Sequence, residues 1–245
     1  MNRIGGTDLE VFPLCLGGNV FGWTADEPAS FAVLDAYTGA GGNFIDTADS
    51  YPQWADGCQG GESETIIGRW LARRGRRDDV IIATKVGQSR QHPGLSPATI
   101  RSAAEASLRR LGTGHIDLYY AHEDDPATPL ADTMAAFDRL VRDGKARYVA
   151  ASNYSAPRLA GALARARQQV LVSFAALQVP GHGPKRGSPS LSGAPGNCAR
   201  QYDAIHSTWA AGSSCTSPSW RSVRYTSQAP STTEAVWKAC SRSAP

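Results

Sequence analysis

The sequence holds no CxxC pair: its five cysteines, at 15, 58, 198, 215 and 240, are odd in number and irregularly spaced. They describe neither a disulfide framework nor a zinc site, and no metal is expected. There is no run of about 18 apolar residues, so no membrane-spanning helix and no membrane partner is expected. The opening Met1-Asn2-Arg3-Ile4-Gly5-Gly6 lacks the basic end and apolar core of a secretory signal, which makes the cytoplasm the expected compartment. No G-x-G-x-x-G element follows a strand-like run and no nucleophile elbow occurs, which argues against a doubly wound dinucleotide domain and against a serine hydrolase. The basic residues form no stripe, so nucleic acid is not an expected partner.

What is present divides in two. The last 65 residues carry seven Lys or Arg against two acids, whereas the first 180 carry 18 basic and 20 acidic side chains, so the net charge of +3 belongs to the end of the chain. Gly, Pro, Ser and Thr make up 30 of residues 181–245, which hold a single leucine, Leu191, yet three of the six tryptophans. Neither a period of 2 nor one of 3.6 is found there. The stretch 179–245 therefore reads as an irregular or disordered tail, or as a segment of different origin such as an altered reading frame would give. Although 245 residues match the roughly 250 of a complete α/β barrel, that match is coincidental on this reading.

Residues 1–178 are the opposite case. Short apolar runs alternate with helical patterns, which predicts β-α units and a parallel sheet. Strands are expected at Leu14–Gly18, Asn43–Asp46, Val80–Lys85, Ile116–Ala121, Ala146–Ala151 and Val172–Leu177. Helices are expected at Pro28–Thr38, Ser63–Arg73, Pro97–Arg110, Leu130–Arg142 and Ala156–Arg167, with Leu108, Leu111, Leu140 and Leu159 on buried stripes. The Ser96-Pro97 pair is a helix start, serine capping free amides and proline occupying the first turn.

In a parallel barrel the C-terminal ends of the strands collect functional groups. Asp46 and nearby Tyr51 follow the second strand, Lys85 ends the third and His122 follows the fourth. Each alone also suits a structural role: a turn cap, a loop anchor, a surface charge, a core-edge histidine. Together they suit proton transfer, because a lysine beside a phenol favours the phenolate and a carboxylate keeps that lysine charged. Three acids, Glu123, Asp124 and Asp125, follow His122 and are candidates to fix its protonation.

The runs Phe44-Ile45-Asp46-Thr47-Ala48-Asp49-Ser50-Tyr51, Ala83-Thr84-Lys85, Asp117-Leu118-Tyr119-Tyr120-Ala121-His122 and Ala151-Ser152-Asn153-Tyr154 resemble the aldo-keto reductases, as does Gly61-Glu62-Ser63-Glu64-Thr65-Ile66-Ile67-Gly68. The resemblance runs from about Ile4 to Gln178. It implies a TIM (β/α)8 barrel, here incomplete or irregular after the sixth strand, that reduces an aldehyde or ketone with NADPH. The catalytic tetrad would be Asp46, Tyr51, Lys85 and His122, with Tyr51 as general acid. Gly18, Asn19, Asp46, Ser152, Asn153 and Gln178 would bind the cofactor, although Asn153 equally suits a turn. Trp23 and Trp54 would wall the substrate pocket or simply pin their loops, and the 52–61 loop would cover the site. The family's strands and basic helix for the cofactor's phosphates are not found; Lys185, Arg186, Arg221 and Arg224 lie where no strand pattern positions them. Two further readings stand beside the enzyme: a non-catalytic cofactor-sensing or interaction protein on the same barrel, and an inactive truncated or frame-changed product.

Overall fold

A computed structural model describes residues 1–179. Two of its helices begin on side-chain caps that the sequence supplies. Asp26 accepts from the Ala29 amide ahead of α1 (Glu27–Gly39), and Ser96 accepts from the Thr99 amide ahead of α3 (Pro97–Leu111). Helix α2 (Glu62–Arg74) ends on Gly75 and α3 on Gly112, both left-handed at φ 66° and 62°, where glycine carries no Cβ penalty. Helices α4 (Leu130–Arg142) and α5 (Ala156–Gln169) complete the set. The predicted helices are all present, extended by one or two residues at some ends.

A short hairpin, β1 (Asn2–Arg3) antiparallel to β2 (Glu10–Val11), precedes the main sheet. The sheet is β3 (Leu16–Gly17), β4 (Phe44–Asp46), β5 (Ile81–Val86), β6 (Ile116–Ala121), β7 (Ala146–Ser152) and β8 (Leu177–Gln178), all parallel and in sequence order. This is an α/β half-barrel, six strands of a partial TIM barrel with crossover helices outside. Among the described residues its end strands are β3 and β8. The tail assigned to 179–245 lies outside the described residues except for Val179, as do Lys185, Arg186, Arg221 and Arg224.

Three predicted strands are shorter than expected: β4 by Asn43 alone, and β3 and β8 because a side chain captures the backbone first. The Leu14 carbonyl accepts from the Tyr37 hydroxyl at 2.6 Å instead of joining β3. The Val172 amide donates to Asp138 at 2.9 Å, so pairing with β7 starts only at Ala175, whose amide reaches the Val149 carbonyl. The hairpin β1–β2 was not predicted, since two-residue strands carry no readable period. It brings Ile4, Leu9 and Val11 against Phe44, Ile81, Ala83, Leu118 and Tyr120, closing the barrel interior. Asn43, just ahead of β4, donates to Glu10 O and accepts from the Phe12 amide. The hairpin therefore sits at the N-terminal ends of the strands and leaves the C-terminal ends to the functional groups.

Outside the sheet, Leu111, Leu140 and Leu159 are buried as expected, while Leu108 is only partly so. Trp70 is fully buried and donates its indole N–H to Asp35 at 2.8 Å. Helices α2 and α3 approach so closely that a Cβ on Gly68 would fall against the Arg110 carbonyl oxygen and the Leu111 backbone. Backbone cannot yield as a side chain can. Gly68→Ala is therefore expected to lower stability by about 1–3 kcal/mol, measured by denaturant unfolding of the full chain beside an exposed control, Gly39→Ala, which has open space around it.

Candidate active site

Pairing of β4 with β5 sets Asp46 opposite Ala83, two residues before Lys85, and period 2 then points Lys85 into the barrel on the side where Asp46 lies. Both side chains are buried, with 1% of each residue exposed. The Lys85 ammonium donates to Asp46 Oδ2 at 2.5 Å, to the Thr47 carbonyl at 2.9 Å and to the Tyr51 hydroxyl at 3.2 Å. All three of its donors are thus committed within one six-residue segment. His122 follows β6, its amide bonded to Val86 O at 2.9 Å, and its ring lies edge-on to Tyr51 with centroids 5.7 Å apart. The structure brings Asp46, Tyr51, Lys85 and His122 together.

Electrostatics refine the expected proton chemistry. Burial opposes the charge on Lys85, but Asp46 and Tyr51 outweigh it and hold the ammonium above its usual range. For Tyr51 the balance goes the other way. Burial raises its pKa and the pull of Lys85 toward phenolate only partly offsets this, so the resting group is the phenol. His122 is driven down to about 3, first by burial and then by the Lys85 charge, and is neutral across the physiological range.

None of the three acids after His122 holds its ring, contrary to one expectation. Glu123 accepts from Gln88, Asp124 takes the Arg158 guanidinium at 2.7 and 2.9 Å, and Asp125 accepts from the Leu95 amide and Thr128. Each has a nearer donor on its own side of the turn. Ser50 Oγ instead stands 3.5 Å from His122 Nδ1, a partner visible only in three dimensions.

The other expected residues line the same end. The Gly18 amide donates to Asp46 O at 2.7 Å and its carbonyl accepts from Ser63, which also meets Thr47 Oγ1 at 2.7 Å. A Cβ on Gly18 would come within 2.8 Å of Ser63 Oγ, so the glycine keeps this strand end tight; Asn19 follows half-buried in the turn. Ser152 ends β7 opposite Gln178, and the Asn153 amide donates to Gln178 O at 3.2 Å. Asn153 adopts a left-handed φ of 56° and donates its side-chain N–H to the His122 carbonyl at 2.9 Å. It thereby fills the turn role while linking β7 to His122.

Trp23 and Trp54 are 51% and 47% exposed, edge-to-face at 6.0 Å, and Trp54 stands edge-on to Tyr51 at 5.5 Å. The 52–61 loop is tied down at several points: Gln53 bonds to Gln88 O and the Arg90 amide, the Gln59 and Gly60 amides donate to Glu62, and Cys58 Sγ approaches Gly22 O. Sequence reading missed Thr47, Ser50 and Ser63, whose small hydroxyls carry no motif of their own. Among the described residues no group of three His, Cys, Asp or Glu could hold a metal ion, and no helix is long and apolar enough to cross a membrane.

Because His122 is held neutral in the folded chain and titrates near 6.5 when unfolded, the unfolded state takes up the proton first as the pH falls. The stability contributed by the neutral ring is present above about pH 6.5 and is lost progressively toward pH 3. His122→Gln is expected to flatten the fall of melting temperature between pH 6.5 and pH 4; an unchanged slope in that variant would place the acid sensitivity elsewhere.

Comparison with known proteins agrees with the fold. Residues 13–181 match the model of the aldo/keto reductase family. The chain is 40% identical over 175 residues to the oxidoreductase YrpG of Bacillus subtilis (strain 168), covering 68% of this chain and 53% of that protein. It is 35% identical over 187 residues to the norsolorinic acid reductase of Aspergillus flavus, covering 69% and 46%, and 36% identical over 169 residues to the aryl-alcohol dehydrogenase (NADP+) of Phanerodontia chrysosporium, covering 60% and 42%. The chain spans about half the length of the curated relatives it matches. With six parallel strands and five crossover helices among the described residues, and a lysine–carboxylate–phenol–imidazole group at the strands' C-terminal ends, the chain belongs to the aldo/keto reductase family.

Proposed function

We propose that this chain carries the carbonyl-reducing centre of an NADPH-dependent oxidoreductase acting on a small aldehyde or ketone in the cytoplasm, with no nucleic-acid partner. The observation that carries the proposal is the Lys85 ammonium, buried and bonded at once to Asp46 and to the Tyr51 phenol at 3.2 Å. A surface lysine or a structural ion pair needs no phenol; a proton donor does.

The residues present fit the nicotinamide end of such a cofactor. Ser152, Asn153 and Gln178 supply a hydroxyl and two amides on adjoining strand ends, the donor and acceptor set that a carboxamide requires. Gly18 and Asn19 follow β3 at the other end of the sheet, and Asp46 ends β4 beside them. When bound, a reduced nicotinamide supplies the hydride; the protein contributes placement and electrostatics.

Tyr51 donates its proton as negative charge develops on the substrate oxygen: the phenol O–H breaks and the alcohol O–H forms. Lys85 stabilises the phenolate left behind, and Asp46 keeps the ammonium charged and fixed. With Nδ1 of His122 toward Ser50, Nε2 is the ring nitrogen available to the carbonyl oxygen, and a neutral ring can donate there without competing with Tyr51 as an acid. Donors already in position act most strongly on the charge that appears in the transition state. Trp23 and Trp54 offer an aromatic wall beside Tyr51 for the rest of the substrate.

The test is fluorescence titration of the 245-residue chain with NADPH, followed in the same sample by aldehyde-dependent NADPH oxidation. Tyr51→Phe is expected to retain binding and to lose roughly 10²- to 10⁴-fold in turnover. Saturable binding with no turnover in the parent chain would favour a cofactor-sensing protein, and absence of binding would sink the reductase reading. Lys85→Met is expected to cost about 3–5 kcal/mol in addition to activity, because it removes the buried ammonium that faces the Asp46 carboxylate inside the barrel; denaturant unfolding measures this.

A further inference from the structure

On the outward face of the same strands lies a second buried polar group that the proposed chemistry does not use. Lys85 and Tyr120 point inward, so their neighbours Thr84 and Tyr119 point toward the helices. There they meet Glu64 of α2, Arg110 of α3 and Asp49 of the segment after β4. Glu64 is fully buried and satisfied, with Arg110 Nε at 2.6 Å and the Thr84 hydroxyl at 2.5 Å. Asp49 is 2% exposed, and neither of its carboxylate oxygens accepts a hydrogen bond from a described residue. The Tyr119 hydroxyl, also fully buried, is likewise without a partner among them.

Charge counting is decisive here. The cluster holds two carboxyl groups and one guanidinium, and that guanidinium is bonded to Glu64. The other cation in reach, Lys85, is committed on the inward side to Asp46, Thr47 and Tyr51. An ionised carboxylate with no donor and no cation of its own is far costlier to bury than a neutral acid. We propose that Asp49 is held as the neutral carboxylic acid and is a positioning residue for Tyr51, an inference that rests on the reductase reading. The Asp49 amide donates to the Lys85 carbonyl at 3.2 Å, so the residue is pinned to β5 at Lys85 itself. Two residues on is Tyr51, three back is Asp46. A neutral side chain anchors this segment in the wall without drawing Lys85 away from its inward partners.

The surroundings agree in direction. Burial and the Glu64 charge keep the proton on Asp49, opposed by Arg110, Lys85 and the Ser50 amide, and burial keeps the Tyr119 phenol beside it protonated. His92, also within the field of Arg110 and Glu64, is lowered and adds no positive charge at neutral pH.

The experiment uses the full chain. Infrared difference spectroscopy of the parent against Asp49→Asn near neutral pH is expected to show the carbonyl band of a protonated carboxylic acid that the variant lacks; its absence overturns the proposal. Positioning is read from the Tyr51 phenol, titrated as the tyrosinate absorbance lost in Tyr51→Phe. Asp49→Ala is expected to move that titration by at least about tenfold in acid constant and to lower kcat about tenfold or more with KM little changed. Asp49→Asn, neutral and of the same shape, is expected to restore both. An Asn variant as damaged as Ala would mean that the ionised form matters and overturns the proposal, as does a phenol titration unmoved in Ala. If Asp49→Ala fails to fold, the band and the Asn variant still decide. A parent chain without turnover, in which the phenol titration nonetheless responds to Asp49→Ala, would sink the reductase reading and leave this inference standing.

Discussion

The buried ion pair of Lys85 with Asp46 is the constraint on which the rest of the site depends. Two opposite charges taken out of water gain enough from each other only if the remaining donors and acceptors are also met. Here the Thr47 carbonyl and the Tyr51 hydroxyl take the other two ammonium protons. The segment from Asp46 to Tyr51 must therefore curl back over the lysine, and that curl is what brings the phenol to the mouth of the barrel. Gly18, Thr47 and Ser63 then close the strand end behind it through a chain of short hydrogen bonds.

The two faces of the sheet use polar groups in different ways. Inside, a single lysine serves one carboxylate and one phenol, leaving the phenol protonated and the imidazole neutral. Outside, a single arginine serves one of two carboxyl groups. The alternation of side chains along β5 and β6 separates the two sets by one strand thickness while the backbone joins them, through the amide of Asp49 on the carbonyl of Lys85. Rigidity on the outward face is thus available to the inward one.

Much of this was legible beforehand, and the reasons differ by element. The helices are bounded by capping residues, prolines or glycines, so each falls close to its expected limits. The central strands β5, β6 and β7 are mostly apolar and almost wholly buried, as strands covered on both faces are. The end strands were overestimated, because nothing in the runs around Leu14 and Val172 announces that Tyr37 and Asp138 will take their backbone groups. The site was legible through spacing: Asp46, Lys85 and His122 each close a strand or follow it. The relation of His122 to its neighbours was not, since adjacency in sequence suggested the acids at 123–125, whereas Ser50 lies 72 positions away.

The sequence by itself determined the order of β-α units and the set of groups gathered at the C-terminal ends, because these follow from local patterning and from the rule that parallel strands share one direction. Only the tertiary structure decided which of those groups are charged. Burial of Tyr51 outweighs the pull of Lys85, the neutral state of His122 is favoured first by burial and then by the lysine beside it, and the choice of Glu64 over Asp49 as the partner of Arg110 depends on how α2 and α3 pack at Gly68. A protonation state is set by the solvent excluded and the charges nearby, and neither quantity exists until the chain has folded.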